Sequence, residues 1–175
     1  QASLTANTTG AENTAVGYLS LQDNTTGANN VAIGRAALGN NTTGYSNVST
    51  GHNALRLNTG GIENTALGNA ALYNSTANYN TAVGASALNA NTTGAQNTAI
   101  GYASLLLATT GHSNTTVGSL SGQSLTSGTG NAFFGRNAGD ANTTGFANTF
   151  MGGSYANYVG RYNTTGAYNT AIGGD

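Results

Sequence analysis

Asn13-Thr14-Ala15-Val16-Gly17 decides the fold, because the chain keeps writing it again. It returns as Asn30-Val-Ala-Ile-Gly34, Asn64-Thr-Ala-Leu-Gly68, Asn80-Thr-Ala-Val-Gly84, Asn97-Thr-Ala-Ile-Gly101 and Asn169-Thr-Ala-Ile-Gly173. Looser copies close at Gly51, Gly118, Gly135 and Gly152. The step between closing glycines is 17 residues, with one copy a residue short and the last four residues long. A fixed short period of this kind is the sequence mark of a solenoid. It points to a structural or binding protein rather than an enzyme.

Each repeat has two further landmarks. Four residues after the glycine stands a leucine: Leu21, Leu38, Leu55, Leu72, Leu88 and Leu105. A small residue precedes each one, from Ser20 and Ala37 to Ser104. Then comes Asn-Thr-Thr-Gly, starting at Asn7, Asn24, Asn41, Asn91, Asn142 and Asn163, with variants at Asn58 and Asn74. That tetrapeptide reads as a turn, with Asn and Thr bonding the local backbone and Gly taking positive φ. Seventeen residues are too few for a helix-turn-helix repeat but enough for two short strands and two turns. The first strand is Asn-Thr-Ala-Val-Gly and the second runs through the small residue and Leu. The expected fold is an all-β parallel β-solenoid, or β-roll, of about ten 17-residue coils in one repeat domain over 1–175. At about 4.8 Å per coil the rod is about 45–50 Å long.

Side chains alternate along a strand, so Asn13, Ala15 and Gly17 share one face and Thr14 and Val16 the other. Late in the chain the Leu column shrinks to Gly122, Gly139 and Ala156, while the Ala column swells to Phe133 and Phe150. Close packing demands that volume lost on one wall return on the other. This places the Ala and Leu columns inside, with the Asn13-type residues as a buried ladder of amides. Val16, Ile33, Leu67, Val83, Ile100, Val117 and Ile172 then point outward as an aliphatic stripe that calls for a partner surface. The alternative is the reverse, since the neighbouring column also enlarges, to Phe134 and Met151. In that case the aliphatic column is the core and the Ala column faces solvent.

Composition narrows the function classes. The chain has four arginines, no Lys, five acidic residues and a formal net charge of -1. That leaves no basic stripe for nucleic-acid phosphates. No apolar run approaches the roughly 18 residues of a membrane span. Without Cys, zinc-thiolate and cysteine-nucleophile chemistry are excluded. A tract rich in Asn, Thr, Gly and Ala could be disordered, but disorder gives no reason to phase-lock Val and Ile in a repeat. Gln1 follows no initiator Met and no signal peptide is present, which suggests a processed chain or a segment of a longer one. Ala2-Ser3-Leu4 matches Ala103-Ser104-Leu105, and the chain stops at Gly173-Gly174-Asp175, so both ends fall within a coil. Head-to-tail continuation is the expectation, because a free solenoid needs polar caps.

The repeated Asn-Val-Ala-Ile-Gly and Asn-Thr-Ala-Val-Gly strands resemble the head repeats of YadA-type trimeric autotransporter adhesins. They are also similar to Asn-Thr-Ala-Ile-Gly repeats of tail-fibre-like extracellular proteins. The resemblance covers nearly the whole chain, with a longer period owing to the added Asn-Thr-Thr-Gly turn. It implies a left-handed parallel β-roll, homotrimeric in the adhesins, that presents a surface to matrix proteins or host cells. Trimerisation would cover the aliphatic stripe.

Two surface chemistries follow from the repeat. Asn-x-Ser/Thr is the acceptor pattern for N-linked glycans. It occurs at Asn7, Asn24, Asn41, Asn74, Asn91, Asn142 and Asn163, and also at Asn40, Asn47 and Asn114. Covalent glycans along one turn edge would keep so uncharged a rod soluble; the plainer reading is a good turn copied with the repeat. Thr hydroxyls such as Thr25 and Thr26 could also carry sugars. Separately, Thr14, Thr65, Thr81, Thr98, Thr115, Thr149 and Thr170 form a column, interrupted by Val31, Val48 and Ala132. Regular Thr arrays on β-solenoids resemble those of insect and microbial ice-binding proteins. The plainer reading is Thr chosen for its strand propensity.

No catalytic constellation is assembled. His52 and His112 stand in different phases of the repeat, and Glu12 and Glu63 share a column three coils apart. Arg35 and Arg136 follow their glycines and read as solvated. The terminal Gly-Gly-Asp is a lone fragment of a calcium-roll motif. The tyrosines Tyr18, Tyr102 and Tyr168 could stack on sugars but follow no single column. No metal or cofactor site is expected. The sequence therefore predicts a non-enzymatic extracellular or cell-surface fibre subunit that partners itself as a homotrimer or head-to-tail filament. Host or matrix adhesion is a further expectation, and an ice-binding solenoid is the alternative.

Overall fold

The computed structural model describes residues 3–153 and 159–173. Ten strands of three residues run through them: β1 Thr14–Val16, β2 Val31–Ile33, β3 Val48–Thr50, β4 Thr65–Leu67 and β5 Thr81–Val83, then β6 Thr98–Ile100, β7 Thr115–Val117, β8 Ala132–Phe134, β9 Thr149–Met151 and β10 Thr170–Ile172. They form one sheet in chain order, and every pair is parallel. The register is one coil: Thr14 pairs with Val31, Ala15 with Ala32 and Val16 with Ile33. Each coil thus satisfies the strand backbone of its neighbours. The chain is an all-β parallel β-solenoid, as its period predicts.

The closing glycine ends each strand. Gly34 has φ +127, and a Cβ there would come 2.7 Å from the Gly51 carbonyl oxygen of the next coil. The Gly of Asn-Thr-Thr-Gly has a different reason from the one predicted. Gly27 is not in the positive-φ region; it is Gly because a Cβ would run into the Gly44 carbonyl oxygen of the next coil and the Asn24 Oδ1, and would stand 2.6 Å from the Asn41 Nδ2.

Among the described residues the predicted second strand does not form. The stretch around each small residue and Leu is a turn, with Leu38 at φ 51 and Ala36 at φ 54. The same pair recurs at Leu55 and Asn53 and at Leu72 and Ala70. A third left-handed residue precedes each ladder asparagine, for example Asn29 at φ 57. Left-handed backbone costs about 1–2 kcal/mol at a residue with a Cβ. Here the cost is offset by bonds between coils, because these N–H groups reach a neighbouring layer: Ala36 donates to the Tyr18 carbonyl, Leu38 to that of Ala54 and Asn29 to that of Ala11.

The choice between faces is settled in favour of the Ala column. Ala32, Ala66, Ala82 and Ala99 are fully buried together with Leu21, Leu38, Leu55, Leu72, Leu88 and Leu105. The Asn13-type residues form the expected ladder. Asn47 Nδ2 donates to Asn30 Oδ1 at 3.1 Å and to the Gly61 carbonyl at 2.9 Å, while Asn30 Oδ1 also accepts the Asn47 N–H. The ladder continues to Asn169, the last rung reaching back to Asn148.

A second ladder, not foreseen, runs through the turn asparagines. Asn24 Nδ2 donates to Asn7 Oδ1 and to the Gly27 carbonyl, and Asn41 repeats both bonds. Ser75, Ala108 and Leu125 interrupt it. Beyond Leu125, both amide atoms of Asn142 are buried without a hydrogen-bond partner.

The Phe-for-Leu exchange also holds. Phe133 and Phe150 are buried and stacked, with ring centroids 5.1 Å apart. A Cβ on Gly139 would lie 2.6 Å from the Phe133 ring. The column continues at Gly160 rather than Ala156: Gly139 donates to the Val159 carbonyl as Gly122 does to that of Ala138. Ala156, the terminal Gln1 and Ala2, and Gly174 and Asp175 lie outside the described residues.

Candidate interaction face

Because Ala points inward, Thr14 and Val16 and their counterparts point outward on the same sheet. The aliphatic rank stands in solvent: Ile33 is 41 % exposed, Leu67 37 % and Ile100 39 %, with Met151 at 43 % near the far end. Val16 and Ile172 on the edge strands are more open, and Val83 and Val117 are half-buried. Thr50 interrupts this rank at β3. The Thr rank beside it is half-buried at Thr65, Thr81, Thr98, Thr115 and Thr149 and open at Thr14 and Thr170. Val31 and Val48 widen the apolar surface at β2 and β3. No strand carries a charged residue. Rows of side chains repeat at the spacing between strands, about 4.8 Å.

One row beside this face holds polar chemistry. The residues after successive closing glycines stack as Tyr18, Arg35, His52 and Asn69. Arg35 lies over the Tyr18 ring at 5.9 Å, and its Nη1 is 3.0 Å from His52 Nε2. A guanidinium has only donors, so His52 Nε2 accepts. Its Nδ1 faces the Asn69 amide at 3.3 Å. Arg35 is thus not merely solvated. The signal was present: Arg35 and His52 occupy the same place in consecutive repeats.

The turn edge sorts the acceptor asparagines by burial. Asn24, Asn41, Asn91 and Asn142 are fully buried, as are Asn47 and Asn114. A sugar on those amides has no room beside the packed coil. Asn40, Asn74 and Asn163 are half-buried and Asn7 is exposed; Asn74 Nδ2 is bonded to the Asn89 carbonyl. The acceptor pattern describes local sequence only and carries no information about which way the asparagine points.

The other candidates stay apart. His112 touches Ser113 on the surface. No group of three His, Cys, Asp or Glu comes together among the described residues, and no helix there is long and apolar enough to cross a membrane. Asp140 is raised above the ordinary aspartate value, chiefly by burial, with bonds from Asn137 and Ala141 and the charge of Arg161 opposing. A cleft of about 660 Å³ opens at the last coil between Phe150, Arg161, Tyr162 and Ala171. Compared with known families, curated proteins and solved structures, the chain matches none.

Proposed function

We propose that this chain is a non-enzymatic rod segment of an extracellular fibre, associating side by side with copies of itself through the outward aliphatic rank. The observation that carries this reading is the uncharged, mostly aliphatic row from Val16 to Ile172, exposed or half-buried and broken only by Thr50, on one continuous ten-stranded sheet. An apolar stripe of that length is unfavourable in water, and a second copy offers a surface of the same repeat spacing. Rigidity comes from the stack, since each coil buries the next. The similarity of the strands to YadA-type head repeats supports the trimer and the cell-surface setting, and with them host or matrix adhesion.

The test is the mass of the native particle by light scattering. A defined trimer is the expected result; a polymer of mixed length would indicate head-to-tail growth instead. A clean monomer at the mass of the chain overturns self-association. A second reading rests on the same face: Thr and aliphatic ranks flank an inward Ala at regular spacing, the arrangement an ice lattice would meet. It requires a monomeric or laterally open face that depresses the freezing point, measured as thermal hysteresis.

A further inference from the structure

We infer that the second threonine of each Asn-Thr-Thr-Gly turn is an attachment site for O-linked sugar, and that the buried asparagines of these turns are not sites for N-linked sugar. The inference stands independently of self-association.

The three side chains of the turn have different duties. In the inner coils the asparagine is buried, and Asn24 and Asn41 are spent on the ladder. The first threonine ties the coils together. Thr25 Oγ1 donates to the Thr42 carbonyl at 2.9 Å, Thr42 to that of Thr59, and Thr92 to that of Thr109. The second threonine does neither. Thr26, Thr43, Thr93, Thr110, Ser127 and Thr144 are exposed, and among the described residues no hydrogen bond engages their hydroxyls.

The turn does not need that hydroxyl. Gly60 stands in the same place, and the turn still closes with Asn58 Nδ2 on the Gly61 carbonyl at 2.9 Å. The following coil omits the position altogether, with Ala77 taking the glycine's part toward Asn64. Yet the other coils keep a hydroxyl there, once by exchanging Thr for Ser at Ser127. Ser and Thr share the nucleophilic oxygen and little else that a turn of this shape uses. A rod with four basic and five acidic residues carries few charged groups of its own to keep it in solution.

The chemistry is a substitution at the anomeric carbon of a nucleotide- or lipid-diphosphate sugar. The bond from that carbon to Thr Oγ1 forms and the bond to the diphosphate breaks. The hydroxyl proton passes to a base of the transferase. Neighbouring sites are about 4.8 Å apart, which leaves room for single sugars or short unbranched chains and none for bulky branched ones.

The experiment is intact-mass measurement of the chain from its native source, followed by fragmentation that keeps the side-chain modification in place. The expected result is excess mass in whole sugar increments, lost on alkaline β-elimination and untouched by a peptide-amidase that releases N-glycans. Fragment ions place the increments on Thr26, Thr43 and their counterparts. A chain at its bare sequence mass overturns the proposal. So does sugar on Asn24 or Asn41, or on Thr25 or Thr42 in preference to the second threonine.

Discussion

The coils around β2–β6 and those around β8–β9 share one outline but fill it differently. In the first region every layer pairs a small residue with Leu, Ser49 in β3 and Ala in the others, as Ala82 does with Leu88. In the second, Phe133 and Phe150 occupy the Ala column, and Gly139 and Gly160 stand where Leu would be. The layer keeps its volume while the side that supplies it changes. The ladders differ as well. The Asn13-type ladder crosses both regions unbroken, because each Oδ1 also receives the backbone N–H that opens the next strand, as Asn97 Oδ1 does from Asn114. The turn ladder holds no strand and lapses into Ala108 and Leu125. What the repeat cannot vary is the group that satisfies the backbone; what it varies freely is who fills the core.

The sharpest way to break this comparison is to remove one asparagine from each ladder. Asn97→Ala leaves the Asn114 N–H and the Gly111 carbonyl buried without partners. At about 1–3 kcal/mol per orphaned group, the expected loss is about 4 kcal/mol. Asn142→Leu, beside Leu125, removes two amide atoms that already lack partners and is expected to be neutral or stabilising. Denaturant midpoints of the two variants check both. Equal losses would mean that the two ladders do the same work.

A step smaller is the exchange of volume. Phe133→Ala is expected to cost about 3–5 kcal/mol, the range for opening an aromatic cavity. Gly139→Leu alone is also destabilising, because its side chain would run into the Phe133 ring. Combined, the two variants should recover at least about 1 kcal/mol relative to their sum, since Leu sits at the same left-handed backbone in Leu88 and Leu105. Additive losses in a double-mutant cycle would show that the columns do not compensate.

The outward face should not distinguish the regions. Ile33→Lys in β2 and Met151→Lys in β9 are each expected to weaken self-association at least about tenfold, while folding stability moves within about 0.5 kcal/mol. Sedimentation at several concentrations separates the two effects. An effect confined to one variant would limit the contact to that part of the stripe.

The smallest effect belongs to Asp140, which stands where the regular coils carry Gln22, Gly39, Arg56 and Tyr73. Burial raises its carboxyl above 3.8, against the opposing pull of Asn137, Ala141 and Arg161. The folded state therefore holds the proton more tightly than the unfolded chain. Its relative contribution is full below the ordinary aspartate value and is lost as pH rises through the raised one. Asp140→Asn should make the rod slightly more stable at neutral pH and flatten its stability profile on the acid side. A denaturant series from acid to neutral pH reads that difference.

Much of this was legible from spacing. The closing glycines set the coil, and the joint appearance of Phe133 with Gly139 points to the interior. The turn through Leu38 was not legible. A leucine with φ 51 is rare, and neither propensity nor alternation signals it. It exists because its N–H has a carbonyl waiting one layer away, a fact about the stack rather than the segment. The burial of Asn24 was hidden for a similar reason: Asn-Thr-Thr has the same letters whether its amide faces solvent or a ladder. Arg35 and His52 could have been joined by counting from their glycines.

The one-coil register also governs how such a chain can change in length. Each sheet contact from β1 to β4 joins residues one repeat apart, and this separation does not grow as coils are added. The entropy of closing a coil is then nearly the same at every level of the rod. Elongation proceeds by equal increments, each new layer templated by the one already laid down. Copying a single coil's worth of coding sequence therefore lengthens the rod without presenting the interior with any new packing problem. Reach becomes a matter of copy number, and selection can adjust it in steps of one layer.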